Sequence, residues 1–189
     1  MNNLGCYRPR RIPHRDFGDC MQSITYRLAD AISPGEMQRI VNISQLQPTE
    51  QQEIYKRRLI EDWLHANRHG ICILSNPVAA RIVIDSWYYY NGKQYDLFDW
   101  VVMRNHVHLI IRVYENIQLG RIIGHWKSYT GRLISNYFSI QPPIWEKGYW
   151  DRIIRDDNHY HKCRAYIINN PIKAGLDNWS YVSTKWHKE

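Results

Sequence analysis

The chain has 189 residues, 44% of them hydrophobic, with eight Trp and fourteen Tyr. That is enough for one buried core, so one folded domain is the default and an intrinsically disordered chain is excluded. The formal charge is +7, and residues 104–173 hold eleven Lys or Arg against five Asp or Glu, which points to an anionic partner such as nucleic acid. Cys6, Cys20, Cys72 and Cys163 are scattered and form neither a C-x-x-C pair nor a secreted disulfide framework. The start lacks the apolar core of a signal peptide and no run reaches membrane-spanning length, so a reduced, cytoplasmic protein with no membrane contact is expected.

In chain order, residues 1–20 carry Arg8, Arg10, Arg11, Arg15 and two prolines and read as a basic N-terminal arm; residues 21–189 read as a single domain. A first strand is predicted over 21–28. Ser33-Pro34 opens a helix as cap and first helical residue, and helical character continues past a break near Gln47-Pro48, with Thr49 capping, to about Asn67, where Gly70 stops it. Asn76-Pro77 opens another helix with Val78, Ile82, Ile84 and Trp87 as its apolar positions, ended by Asn91-Gly92.

Two Val- and Ile-rich runs, at about 94–103 and 106–113, predict adjacent strands broken at Arg104-Asn105. Period-2 geometry puts His106 and His108 on the same face of the second strand while Val107 points the other way. Two imidazoles so held suit a metal ion; the alternative is a pair of polar residues on a solvated sheet face.

Apolar residues at 119, 122, 123, 126, 130, 133, 134 and 137 predict an amphipathic helix whose polar face offers Arg121, Lys127 and Arg132 to phosphates or simply to water. Residues 144–155 predict a further, bent strand in which Trp145 and Trp150 interleave with Lys147, Arg152 and Arg155. Rings among cations suit single-stranded nucleic acid, since bases stack while the cations hold the backbone; the alternative is that the rings fill the core.

Asp156-Asp157-Asn158 starts a last helix that must end near Pro171. Tyr166 and Asn170, four residues apart, share one side of it, next to a stripe of Tyr160, Cys163, Ile167 and Ile168. Two imidazoles and an amide oxygen would form an open three-ligand site for Mg2+ or Mn2+, and a tyrosine beside it could attack a polarised phosphodiester. His159, one to two turns back, is either a proton acceptor or a residue of the helix surface, the second being favoured.

Asn105-His106-Val107-His108 resembles the HUH motif of single-tyrosine nucleases and transposases. Trp145-Glu146, Trp150 through Asp156, and Ala165-Tyr166-Ile167-Ile168-Asn169-Asn170-Pro171-Ile172-Lys173-Ala174-Gly175-Leu176 resemble the REP-associated tyrosine transposases in particular. Phe98 to Val102, Trp126-Lys127-Ser128 and Tyr26 to Asp30 are similar to that family as well, and the likeness spans roughly residues 20–182. It implies an α+β, ferredoxin-like (RRM-like) HUH endonuclease fold, a central antiparallel sheet with helices packed on it. It implies His106, His108 and Asn170 as ligands of Mg2+ or Mn2+, with Asn169 the less favoured amide, and Tyr166 as the nucleophile that forms a 5′-phosphotyrosine. Arg121, Lys127, Arg132, Trp145, Lys147, Trp150, Arg152, Arg155 and Lys173 are the candidate DNA contacts. The expected partner is single-stranded DNA with a palindromic hairpin, bound by a monomer or homodimer. The alternatives are a non-catalytic DNA-binding module and a replication-initiation type nicking nuclease.

Overall fold

The computed structural model describes residues 20–66 and 69–185, so the predicted basic arm, but for its last residue, lies outside the described residues. The chain runs β1 (Met21–Arg27), α1 (Pro34–Gln45), α2 (Thr49–Ala66), α3 (Pro77–Tyr89), β2 (Tyr95–Val102), β3 (His106–Val113), α4 (Leu119–Phe138), β4 (Trp150–Ile153) and α5 (Asp157–Lys173), with short 3-10 turns at Ile73–Ser75 and Ser183–Lys185. The strands form one antiparallel sheet in the order β2-β3-β1-β4. Two split crossovers, β1 to β2 through α1–α3 and β3 to β4 through α4, interleave in that order, which is the ferredoxin-like topology.

Capping sets where the helices begin. Ser33 Oγ accepts from the Glu36 amide ahead of Pro34, Asn76 Oδ1 accepts from Val78 ahead of Pro77, and Asp156 Oδ1 accepts from His159. Gly70 has φ +86°, and a Cβ there would stand 2.6 Å from the Asp30 carbonyl oxygen, so the turn after α2 requires glycine.

Alternation along β3 sends its residues into two cores on opposite faces of the sheet. Val107, Leu109, Ile111 and Val113 join Ile24 and Tyr26 of β1, Trp87 of α3 and Trp126 of α4 in the larger one. Ile110 joins Val101 and Ile167 of α5 in the smaller one. His106 and His108 share the parity of Ile110 and so lie on the α5 face.

Three expectations are corrected. In α3, Val78 is exposed and Val83 is buried, because the helix turns Ala79, Ala80, Val83, Ile84 and Trp87 inward. The last strand covers only Trp150–Ile153, with Trp145 making a single bridge to Leu28. Between that bridge and β4 the Lys127 ammonium donates to the Glu146 carbonyl at 2.8 Å and the Gly148 carbonyl at 2.6 Å, while the Glu146 amide still donates to the Arg27 carbonyl. Trp145, expected against DNA, is a core residue: it is 5% exposed, donates to Thr130 Oγ1 and packs edge-on against Tyr26.

Candidate active site

His106 and His108 are 1% and 2% exposed, with ring centroids 4.7 Å apart. The Nδ1 of His106 lies 2.7 Å from Asn105 Oδ1, an atom that can only accept, so that nitrogen carries the proton and Nε2 keeps its lone pair. The Nδ1 of His108 lies 2.7 Å from Thr25 Oγ1 on β1, directly across the ladder. Its Nε2 is buried with no hydrogen-bond partner among the described residues. Burial, and then the neighbouring imidazoles, holds His106 well below the usual histidine range; burial and then His65 lower His108 to about 3. Both rings are therefore neutral at neutral pH, the state in which imidazole ligates a metal.

Helix α5 delivers the other two predicted residues. Its amino half is held over the sheet by Asp99, in the irregular stretch of β2 between Leu97 and Trp100, whose carboxylate accepts from the Tyr160 hydroxyl and lies 3.3 Å from Arg164 Nε. One and two turns on, Tyr166 sets its ring 5.2 Å from that of His108, and Asn170 is fully buried. The Tyr166 hydroxyl and Asn170 Nδ2 are buried without a hydrogen-bond partner among the described residues. Burial, and then the charge of Glu61, raise the Tyr166 pKa above the ordinary phenol range, so this hydroxyl is protonated at neutral pH.

Sequence reasoning missed one member of the cluster. His65, in the last turn of α2, has Nε2 2.9 Å from Asn170 Oδ1, and the ligand nitrogens of His65, His106 and His108 all lie within 4.8 Å of one another. Burial lowers its pKa too. Asn105 ties α2 to β3, its Nδ2 donating to the Leu64 carbonyl while its Oδ1 faces His106. Nothing in the sequence singles out His65 among the chain's nine histidines, and it lies 41 positions before His106. Two neutral imidazoles with Nδ1 engaged, an amide oxygen and a third imidazole are a donor set that fits a divalent cation.

The cluster opens into a cavity of about 660 Å3 between α2, β4 and α5, whose wall includes His108, Tyr166, Trp150, Arg152, Arg155 and Lys162. Arg57 and Arg58 of α2, also missed, line the same cavity, with the Arg57 guanidinium 5.7 Å from the Trp150 ring. Lys173, in the last turn of α5, sits 5.1 Å from the Tyr166 ring. The remaining candidates lie elsewhere. Arg132 and Lys147 line a second cavity of about 510 Å3 against α4, and Arg121 a third beside Tyr90 and His125. Lys127, expected to meet phosphate, is committed to its two carbonyls instead, and burial lowers its pKa to about 8. His159 lines the same cavity as Tyr166, its Nδ1 accepting from the Arg155 amide while its Nε2 is buried with no hydrogen-bond partner among the described residues.

A family model described as "Transposase IS200 like" matches residues 63–170, a segment that contains His65, His106, His108, Tyr166 and Asn170. An uncharacterized protein of Haemophilus influenzae is 27% identical over a 99-residue alignment covering 39% of this chain and 53% of that protein, so the match spans about half the length of this curated relative. Among solved structures, that of a REP-associated tyrosine transposase bound to a REP hairpin superposes with a TM-score of 0.55 at 13% identity, over 96% of this chain and 93% of that one. That likeness is one of fold.

Proposed function

Because the chain belongs to the IS200-like transposase family, we propose that it is a single-tyrosine enzyme that cleaves and rejoins single-stranded DNA beside a hairpin, with Tyr166 as nucleophile. The observation that carries this reading is the unpartnered Tyr166 hydroxyl, buried beside the neutral His108 imidazole at the head of a cavity walled by arginines. A domain that only bound DNA would gain nothing from a desolvated phenol there, since a buried polar group without a partner costs about 1–3 kcal/mol.

In this reading His106, His108 and Asn170 hold Mg2+ or Mn2+. A divalent ion so held polarises the scissile phosphate and offsets the charge that develops on its oxygens. The chain's own groups do the rest. The Arg152 and Arg155 guanidinium groups neutralise flanking phosphates, and Trp150 offers a face for a base. Tyr166 Oη forms a bond to phosphorus as the P–O3′ bond breaks. The phenol proton leaves in the same step and the departing strand takes one to become a 3′-hydroxyl. Attack by a 3′-hydroxyl on the phosphotyrosine reverses the exchange and rejoins a strand without ATP. Glu61, whose own carboxyl is raised by burial and which lines the same cavity, is positioned to receive the phenol proton.

The test is incubation with a labelled pool of hairpin-bearing single-stranded DNA and Mn2+, followed by denaturing electrophoresis. A labelled band at the mass of protein plus DNA, absent in Tyr166→Phe, is the expected result. Tight metal-independent binding with no adduct across the pool would instead make the protein a binding module.

A further inference from the structure

His65 belongs to none of the motifs that mark the site, and it comes from α2, within the crossover that joins β1 to β2. Yet its Nε2 stands 2.9 Å from Asn170 Oδ1 and within 4.8 Å of the ligand nitrogens of both β3 histidines. Two atoms bound side by side to one octahedral ion at about 2.1 Å are about 3 Å apart. The 2.9 Å contact, a hydrogen bond in the absence of an ion, therefore also has the length of one edge of a coordination shell. The surroundings keep these donors close. Asn105 bridges the α2 backbone and His106, and β1 holds His108 through Thr25.

We propose that His65 is a third imidazole ligand of this site, so that the protein offers three nitrogens and one amide oxygen, and that this set selects a transition-metal ion such as Mn2+ or Co2+ over Mg2+. The inference rests on the reading of His106, His108 and Asn170 as ligands and deepens it. Its physical basis is donor chemistry: Mg2+ demands oxygen ligands and keeps several waters, whereas imidazole suits the transition series, where affinity rises from Mn2+ through Co2+. With two imidazoles and an amide, most of the shell is left to water and phosphate oxygens, which Mg2+ tolerates. A third imidazole replaces one of those oxygens and moves the balance.

The experiment needs no DNA. Mn2+, Co2+ and Mg2+ are titrated calorimetrically into the full chain, into His65→Gln and into His106→Ala, and the imidazole nitrogens coupled to bound Mn2+ are counted by pulsed electron paramagnetic resonance. Glutamine retains a hydrogen-bonding partner for Asn170 Oδ1 but contributes no imidazole nitrogen. The expected result is three coupled imidazoles in the native chain and two in His65→Gln, with the preference for Mn2+ over Mg2+ falling at least about tenfold. An unchanged nitrogen count and an unchanged preference in His65→Gln would reduce His65 to a residue that orients Asn170 and overturn the inference, while loss of binding in His106→Ala would keep the two-histidine site standing. Binding unchanged in His106→Ala would overturn the metal site as a whole.

Discussion

The two faces of the sheet differ in how they handle buried polar groups. On the α3–α4 side, Trp87 Nε1 donates to Tyr26, Tyr95 donates to the Trp87 carbonyl, Trp126 Nε1 donates to Tyr95, and Trp145 Nε1 donates to Thr130, which in turn donates to the Trp126 carbonyl. These buried polar atoms are paired, as a structural core requires. The exception on this face is Gln22 of β1, which shares the parity of Ile24 and Tyr26 and whose side-chain amide is buried with no hydrogen-bond partner among the described residues. On the α5 side His108 Nε2, the Tyr166 hydroxyl and Asn170 Nδ2 are buried with no hydrogen-bond partner among the described residues. A single strand, β3, serves both faces, and the contrast teaches that a deficit of partners marks a ligand site where several unpartnered atoms gather around ligand-type side chains beside a cavity, as His108 and Tyr166 do here.

The sharpest break of this contrast is Tyr166→Phe, which is expected to abolish the covalent adduct in the electrophoretic assay. Thermal unfolding should show stability unchanged or slightly raised, since the hydroxyl removed has no partner. On the opposite face Trp126→Ala should do the reverse. It empties a site 1% exposed and removes the donor to the Tyr95 hydroxyl, which keeps only its bond to the Trp87 carbonyl, costing about 3–5 kcal/mol in urea unfolding.

Acid sharpens the comparison next, because among the described residues the β3 imidazoles that burial keeps neutral lie on the α5 face. As pH falls below the ordinary histidine value of 6.5, the unfolded chain takes up protons that folded His108, lowered to about 3, refuses. Stability present above pH 6.5 is therefore lost progressively down to about pH 3, by about 2 kcal/mol at pH 5 for this residue alone, with His106 acting in the same direction. Urea unfolding of the metal-free chain at pH 7.5 and 5.0 measures it, and His108→Gln should reduce the difference to the part that His106 contributes.

The smallest effect concerns charge. Arg152→Ala and Arg155→Ala should each lower the slope of log affinity for single-stranded DNA against log salt by about 0.7, as expected for one phosphate apiece. Equal slopes lost from Arg121→Ala and Arg132→Ala on the α4 side would show that DNA reaches both faces.

Much of this molecule was legible in its sequence because the signals are local. The caps at Ser33, Asn76 and Asp156, the apolar spacing of α4, and the alternation that puts His106 and His108 on one face depend on neighbours a few residues away. The four-residue step from Tyr166 to Asn170 is one turn of helix, so their common direction needed no tertiary knowledge. Other features were decided only when distant segments met. Trp145 and Trp150 read alike beside their cations, but α4 closes over the first and leaves the second at the cavity wall. Lys127 leaves α4 about 120° away from Arg121 and Arg132, at the edge of the buried stripe, and the approach of the 146–148 carbonyls there turned it into an internal brace. His65 carries no motif, and its place among the ligands follows from where α2 ends relative to β3. Periodicity specifies which way a side chain leaves its own element; which partners it finds there is set by the crossing of elements that no local pattern encodes.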